Sequence, residues 1–356
     1  MGRLTRAEVQ ELNRRKVLEA ACEEFGACGF RDAKIDRIAE RAGLTRGAVY
    51  SNFPGKRALY FAVLADLAVR TPTPAAPPEY AGTVREALGA LARVRVSRFP
   101  LTGAPEPEDR LAMDLPSVVL ADTQTRQPYG QLLKLHATVL GLALEHLGGS
   151  TRRLVPMAET VLTLLHGADQ LAAAAPGFVD PFQVVAACEQ LAELAPQHGE
   201  WAPPHLPYVP KARPVDEPWA PPAATDALRG ETARLADDGV VAVLGLHRLE
   251  AAEEAVRAAA QPRQTAVTVA LVTGEPGELG PLARLTVADL GAGLRQAFPR
   301  GSWPPVRIVH DESGAVAAAV GVSAVSDATE TAVRIAGGRI VARAEGRGAC
   351  HAAAGA

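Results

Sequence analysis

Cysteine is scarce in this chain of 356 residues: Cys22, Cys28, Cys188 and Cys350 are the only four, and no two of them make a C-x-x-C pair. That spacing excludes a zinc ribbon or finger and a dithiol redox motif. Cys22 and Cys28, six apart on one helical segment, read as core or bystander thiols. Also absent is any apolar run approaching the roughly 20 residues that span a bilayer. The first residues lack the charged, apolar and small-residue sections of a secretory signal. The expectation is a cytoplasmic, reduced protein without membrane contact.

Charge of neither sign dominates, since the net is −3, but its distribution is uneven. Residues 1–70 hold 13 Lys and Arg against 9 Asp and Glu, a net of +4, which leaves −7 for the rest. The surplus places a footprint for a polyanion at the amino terminus, with Arg3, Arg6, Arg14, Arg15 and Lys16 as a candidate arm or helix contact. The length suits two or three domains.

Residues 14–64 carry the strongest pattern. Val17, Leu18, Ala21 and Phe25 recur at helical spacing up to Gly29, a stop signal. Ile35, Ile38, Ala39 and Ala42 give a short second helix closed by Gly43, and Thr45 caps a third running to about Phe53. This third helix exposes Arg46, Gly47, Ser51 and Asn52 while Val49 points inward, so its first half is small enough for a major groove. Pro54-Gly55 breaks the chain. Lys56 and Arg57 then open a fourth helix, where cations and free N–H groups hold phosphate, joined by the Tyr50 hydroxyl. A three-helix core with a solvated charged face is the plain alternative. It must explain the turn glycine, the aromatic pair and the Pro-Gly-Lys exit together.

The run IAERAGLTRGAVYSNFPGKRAL, from Ile38 to Leu59, resembles the TetR/AcrR family of bacterial regulators. The resemblance implies a homodimer on a double-stranded DNA operator, with Thr45, Arg46, Gly47, Tyr50, Ser51, Asn52 and Lys56 at the positions that meet DNA. Lys34 departs from the pattern, because that position is usually a Ser or Thr that caps the second helix and touches phosphate. A lysine reaches phosphate as a point charge and cannot accept the cap hydrogen bonds.

Prolines between Arg70 and Tyr80 end the reader, giving domain bounds of 1–72. Amphipathic helices are expected over 83–99, 110–121, 128–147, 154–174 and 181–194, an all-helical bundle over 80–198. It is similar to the ligand-binding and dimerising half of the same family, which implies pairing of the last two long helices across a two-fold axis. Leu162, Leu165, Leu171 and Val185 are then candidate dimer contacts. Phe99, Met113, Leu133, His136, Leu140, Met157 and His166 are candidate linings of an effector pocket, each of them equally readable as core packing. Residues 199–225, rich in proline and holding Trp201, Tyr208 and Trp219, read as a semi-extended linker.

From 226 to 356 short apolar runs alternate with helices, which specifies an α/β domain. Strands are expected at Val240, Thr265 and Val306, helices over 248–260 and 279–298, and a hairpin around Gly337-Gly338. The closing 90 residues resemble the peroxiredoxin branch of the thioredoxin-like fold. That family attacks peroxide with a thiolate at the end of an early strand, and no cysteine stands between Cys188 and Cys350. Cys350 itself lies in a Gly/Ala-rich tail expected to fray.

The resulting expectation is a mainly α protein: a helix-turn-helix domain, a helical ligand-binding and dimerisation bundle, and an α/β thioredoxin-like domain without its cysteine. Its function is that of a ligand-responsive homodimeric regulator, a repressor on a palindromic operator released by a small apolar effector. No enzyme activity, cofactor or metal is expected. Two alternatives are a regulator whose residues 226–356 dock a partner protein, and a redox enzyme tethered to DNA.

Overall fold

The computed structural model describes residues 5–70, 82–99, 107–149, 152–194, 210–260 and 265–356. It is mainly helical, with a sheet region toward the C-terminus.

Helix α1 (Arg6–Asp32) starts at a capping box in which Thr5 and Glu8 satisfy each other's backbone N–H groups. It runs past the expected stop, absorbing Gly29 as a kink at φ 76°. α2 (Ile35–Arg41) and α3 (Arg46–Asn52) follow across the turn at Gly43, whose φ of 64° is left-handed. α4 (Lys56–Arg70) buries every residue from Ala58 to Ala65. A helix that is apolar all round must be covered all round. α1 covers one side of it, and a helix from the far end of the chain covers another.

The bundle comprises α5 (Val84–Val96), α6 (Pro107–Leu120), α7 (Thr123–Gly148), α8 (Val155–Ala174) and α9 (Pro181–Leu191). Asp122, expected within a connection, is the N-cap of α7, accepting from Gln124 N at 2.9 Å. α7 and α8 approach so closely at Gly141 that an added Cβ would lie 2.6 Å from the Val155 backbone.

The C-terminal sheet has the order β1-β8-β7-β4-β5-β6. Its strands are β1 (Arg213–Pro218), β4 (Gly239–Gly245), β5 (Ala266–Val272), β6 (Val306–His310), β7 (Glu330–Ala336) and β8 (Arg339–Glu345). β2 (Thr225–Asp226) and β3 (Glu231–Thr232) form a separate small ladder. β4, β5 and β6 are mutually parallel, while β7, β8 and β1 continue antiparallel. Alternate residues of β4 enter different cores, as the period of two requires. Val240, Ala242 and Leu244 face α10 (Ala251–Ala259) and α13 (Ala349–Ala354) and join the core of the helical half. Val241 and Val243 face Trp219, Leu235 and α12 (Ala315–Ala319).

Two expectations are corrected here. Residues 213–218 are strand β1, not linker, and Trp219 is buried, donating Nε1–H to Leu235 O at 2.7 Å. Pro214 and Pro218 make this segment look unlike a strand. They are tolerated because β1 is an edge strand, where a missing N–H need not cost a ladder bond. Trp201 and Tyr208 lie outside the described residues. The tail is not frayed: α13 buries Cys350 completely, and that burial raises its thiol pKa well above the ordinary value.

α11 (Pro276–Ala297) connects β5 to β6 and packs on α4, α5 and α7. Around it the two halves are joined by paired charges. Arg257 donates to both carboxylate oxygens of Glu145 at 2.6 and 2.7 Å, and Arg153 to both of Glu253 at 2.6 Å. Bidentate, partly buried pairs of this kind fix geometry. One continuous core therefore runs from Val17 to Ala354.

Candidate nucleic-acid interface and adjoining cavity

Thr45 caps α3, its Oγ1 accepting from Ala48 N at 3.2 Å. The exposed face of α3 carries Arg46, Gly47, Tyr50 and Ser51, and Val49 anchors its inner face at 1% exposure. Arg46 spans two contacts: its guanidinium lies 3.4 Å from Asp36 and 5.5 Å from the Tyr50 ring centroid. Ser51 Oγ and Asn52 Nδ2 both donate to Ala48 O, at 2.9 and 2.8 Å, so each is occupied within its own helix. Lys34 is exposed at the start of α2 and makes no side-chain cap, in keeping with its chemistry.

Lys56 is less free than the sequence suggests. Its Nζ donates to Arg31 O at 3.0 Å and sits 4.9 Å from the Phe30 ring centroid, and burial lowers its pKa. The neighbouring Arg57 pairs with Asp122 at the start of α7 and with Glu278 in the first turn of α11. The exit of the reader is thus tied to both other layers. Arg6 and Arg14 to Lys16 all belong to α1, and Arg14 lies 4.8 Å from the Phe53 ring centroid. Arg3 lies outside the described residues.

A cavity of about 90 Å³ opens between the bundle and α11. Of the candidate linings, Leu133, His136 and His166 are in its wall. Phe99 and Leu140 are core residues instead, and Met157 packs partly buried against that core. Met113 is half-buried on α6, outside the wall. Helical periodicity marks an inward face without distinguishing a filled core from a cavity. Leu162 and Leu165, read as dimer contacts, also face the cavity. Leu171 is exposed and Val185 half-buried.

The sequence reading missed the opposite wall, which comes from α11 through Leu285, Thr286, Asp289 and Gln296. Their spacing gave a faint signal, a mildly polar stripe on an otherwise apolar helix. The charges here are largely matched: Arg95 pairs with Asp169, and Asp289 lies 4.0 Å from both Arg95 and Arg98. His136 is held neutral, its pKa lowered to about 3 by burial first and then by His166 and Arg95. His166 is lowered also, chiefly by burial, and its Nδ1 lies 2.8 Å from Leu162 O.

Among the described residues no helix is long and apolar enough to cross a membrane. No group of three or more His, Cys, Asp or Glu there is arranged to hold a metal.

Comparison with known proteins bears on the reader. Residues 17–63 match the family "Bacterial regulatory proteins, tetR family". The HTH-type transcriptional regulator SrpR of Pseudomonas putida is 51% identical over 65 residues, covering 18% of this chain and 30% of the relative. The uncharacterized HTH-type transcriptional regulator TtgW of Pseudomonas putida is likewise 51% identical over 65 residues, 18% of this chain and 48% of its own length. The chain thus spans less than half the length of these relatives. A TetR transcriptional regulator of known structure from Rhodococcus sp. aligns at 18% identity over 52% of this chain and 95% of its own, with a TM-score of 0.35. The α1–α4 unit, with its exposed third helix and its family match, identifies residues 17–63 as a TetR-family N-terminal helix-turn-helix domain.

Proposed function

We propose that the protein is a ligand-responsive homodimeric transcriptional repressor. It reads a palindromic operator with α3 and releases it when a small effector enters the cavity between the bundle and α11. The observation that carries this reading is the exposed, small-residue first half of α3 within a family-matched reader. Arg46, Gly47, Tyr50, Ser51 and Asn52 meet the groove and its edges, and Thr45, Lys34 and Lys56 meet phosphate. Ser51 and Asn52 reach DNA by exchanging their bonds to Ala48 O.

Pairing through α8 and α9 is supported by exposed apolar side chains along that side, Leu171, Phe178 and Phe182. Leu162 and Leu165 have no part in it. The effector combines an apolar body with a polar group, since the cavity wall mixes leucines with two neutral histidines. Mechanistically, the effector need only prefer the bundle geometry in which the two recognition helices no longer match successive major grooves. A tenfold loss of DNA affinity corresponds to about 1.4 kcal/mol of coupling.

The organisation that goes with this reading is a reader over 1–72, a bundle over 80–198 and a thioredoxin-like domain from β1 to the end. The order β8-β7-β4-β5, the parallel β4-α10-β5 crossover and the closing hairpin followed by α13 support that last assignment. A buried, protonated Cys350 argues against a thiolate enzyme tethered to DNA.

Selection of genomic fragments by the full-length protein at near-physiological salt, followed by sequencing, tests the reading. Enrichment of one palindrome is expected. Retention that is only sequence-independent and salt-sensitive would sink it and favour a role through a protein partner.

A further inference from the structure

α11 is at once a wall of the cavity and a neighbour of the DNA reader. Leu285, Asp289, Ala292 and Gln296 line the cavity at spacings of four, three and four, a single helical stripe. One heptad before Leu285 on the same stripe is Glu278, the partner of Arg57. Beside it Gly277 abuts the reader's exit, where an added Cβ would come within 3.3 Å of the Pro54 ring. One helix of 22 residues thus touches the cavity from its middle onward and the segment just after α3 with its first turn.

The volume makes the two contacts interdependent. At about 90 Å³ the cavity is smaller than the roughly 150 Å³ that admits benzene. A ring-sized guest therefore fills more than this volume and presses on the walls it touches. α11 is the wall that also packs on α4, so pressure on it reaches the α1–α4 unit.

The lining also limits the guest's chemistry. Gln296 Oε1 is buried without a hydrogen-bond partner among the described residues, an acceptor lacking its donor. The arginines and Asp289 already face one another. Leu91, Leu133 and Leu162 complete an apolar surround. A neutral, largely apolar molecule with one O–H or N–H donor matches this set, and a lone ion does not.

We infer that α11 is the effector lever: a small neutral molecule with a single donor binds against it through Gln296, displaces it, and through the Glu278–Arg57 pair shifts the recognition helix. This rests on the regulator reading above and adds the ligand class and the transmitting element.

Phenol is the probe, applied to the full chain with thermal unfolding and retention of a selected DNA fragment as separate readouts. Phenol is expected to raise the unfolding midpoint of the wild type and to weaken DNA retention about tenfold. In Gln296→Leu the protection is expected to need at least tenfold more phenol. In Glu278→Gln protection is expected to persist while release falls below twofold. Glu278→Asp, which keeps the charge on a shorter arm, gives the same readout should the first variant not fold. Absence of protection in the wild type, or full protection in Gln296→Leu, overturns the ligand class. Full release in the Glu278 variants overturns the lever. Should the wild type retain no DNA at all, the regulator reading fails and the lever with it, while the unfolding measurements still decide the site.

Discussion

In the free protein, Ser51 and Asn52 both bond to the carbonyl of Ala48, and Lys56 to the carbonyl of Arg31. On the proposed reading, DNA competes with these internal partners. Lys56 is therefore a fold residue as well as a candidate phosphate contact. Lys56→Ala is expected to lower stability by about 1–2 kcal/mol, from one hydrogen bond and one cation–π contact. Urea unfolding reads this loss, and the salt slope of DNA binding separately falls by about one. The histidines carry a second expectation. Burial holds His136 at about 3 and His310 at about 4, against 6.5 in the unfolded chain. Between those values the unfolded state binds more protons, so stability rises with pH and is lost as pH falls from about 6.5 toward 4. Thermal midpoints across that window should drop with acidity, and His136→Leu should flatten the slope. The cap at Thr45 and its lack at Lys34 were legible from side-chain chemistry alone. The internal bonds of Asn52 and Lys56 were not, because they depend on where a flexible side chain comes to rest.

At the scale of elements, periodicity located α2, α3, α8 and β4 to within a few residues, since each sorts its apolar positions on a period of 3.6 or 2. It was least informative where a segment is apolar on every side. The burial of α4 on every side calls for a second cover, which α11 supplies from a distant part of the chain. β1 was hidden by its two prolines, which exclude a central strand but permit an edge. Gly141 shows what a close helix crossing demands of one position. With the Val155 backbone 2.6 Å from where a Cβ would stand, Gly141→Ala is expected to force α7 and α8 apart at a cost of about 1–3 kcal/mol. A normal unfolding midpoint for that variant would show that the crossing is slack.

For the whole molecule, the length called for two or three domains and the structure has three layers, yet one core cluster runs through all of them, with a second confined to the far face of the sheet. Sequence could not reveal this. Contacts between distant segments, such as Arg257 with Glu145, leave no periodic trace. Glu253 stands at their junction, 7% exposed and facing both Arg153 and Arg257. Glu253→Ala would leave Arg153 without its bidentate partner, while Arg257 keeps Glu145, and is expected to cost about 3 kcal/mol. A second, earlier transition in urea should then report undocking of the C-terminal layer. A single unshifted transition would show that the charges are incidental to docking.

Arg57 and Glu278 meet although 221 residues separate them in the chain. During synthesis α4 is made long before the helix that closes over it. A chain still on the ribosome therefore presents α4 with one flank bare and Arg57 without its second carboxylate. Full assembly of the α1–α4 unit awaits synthesis of residues 276–297, so that on the proposed reading a shorter chain is a poor competitor for DNA.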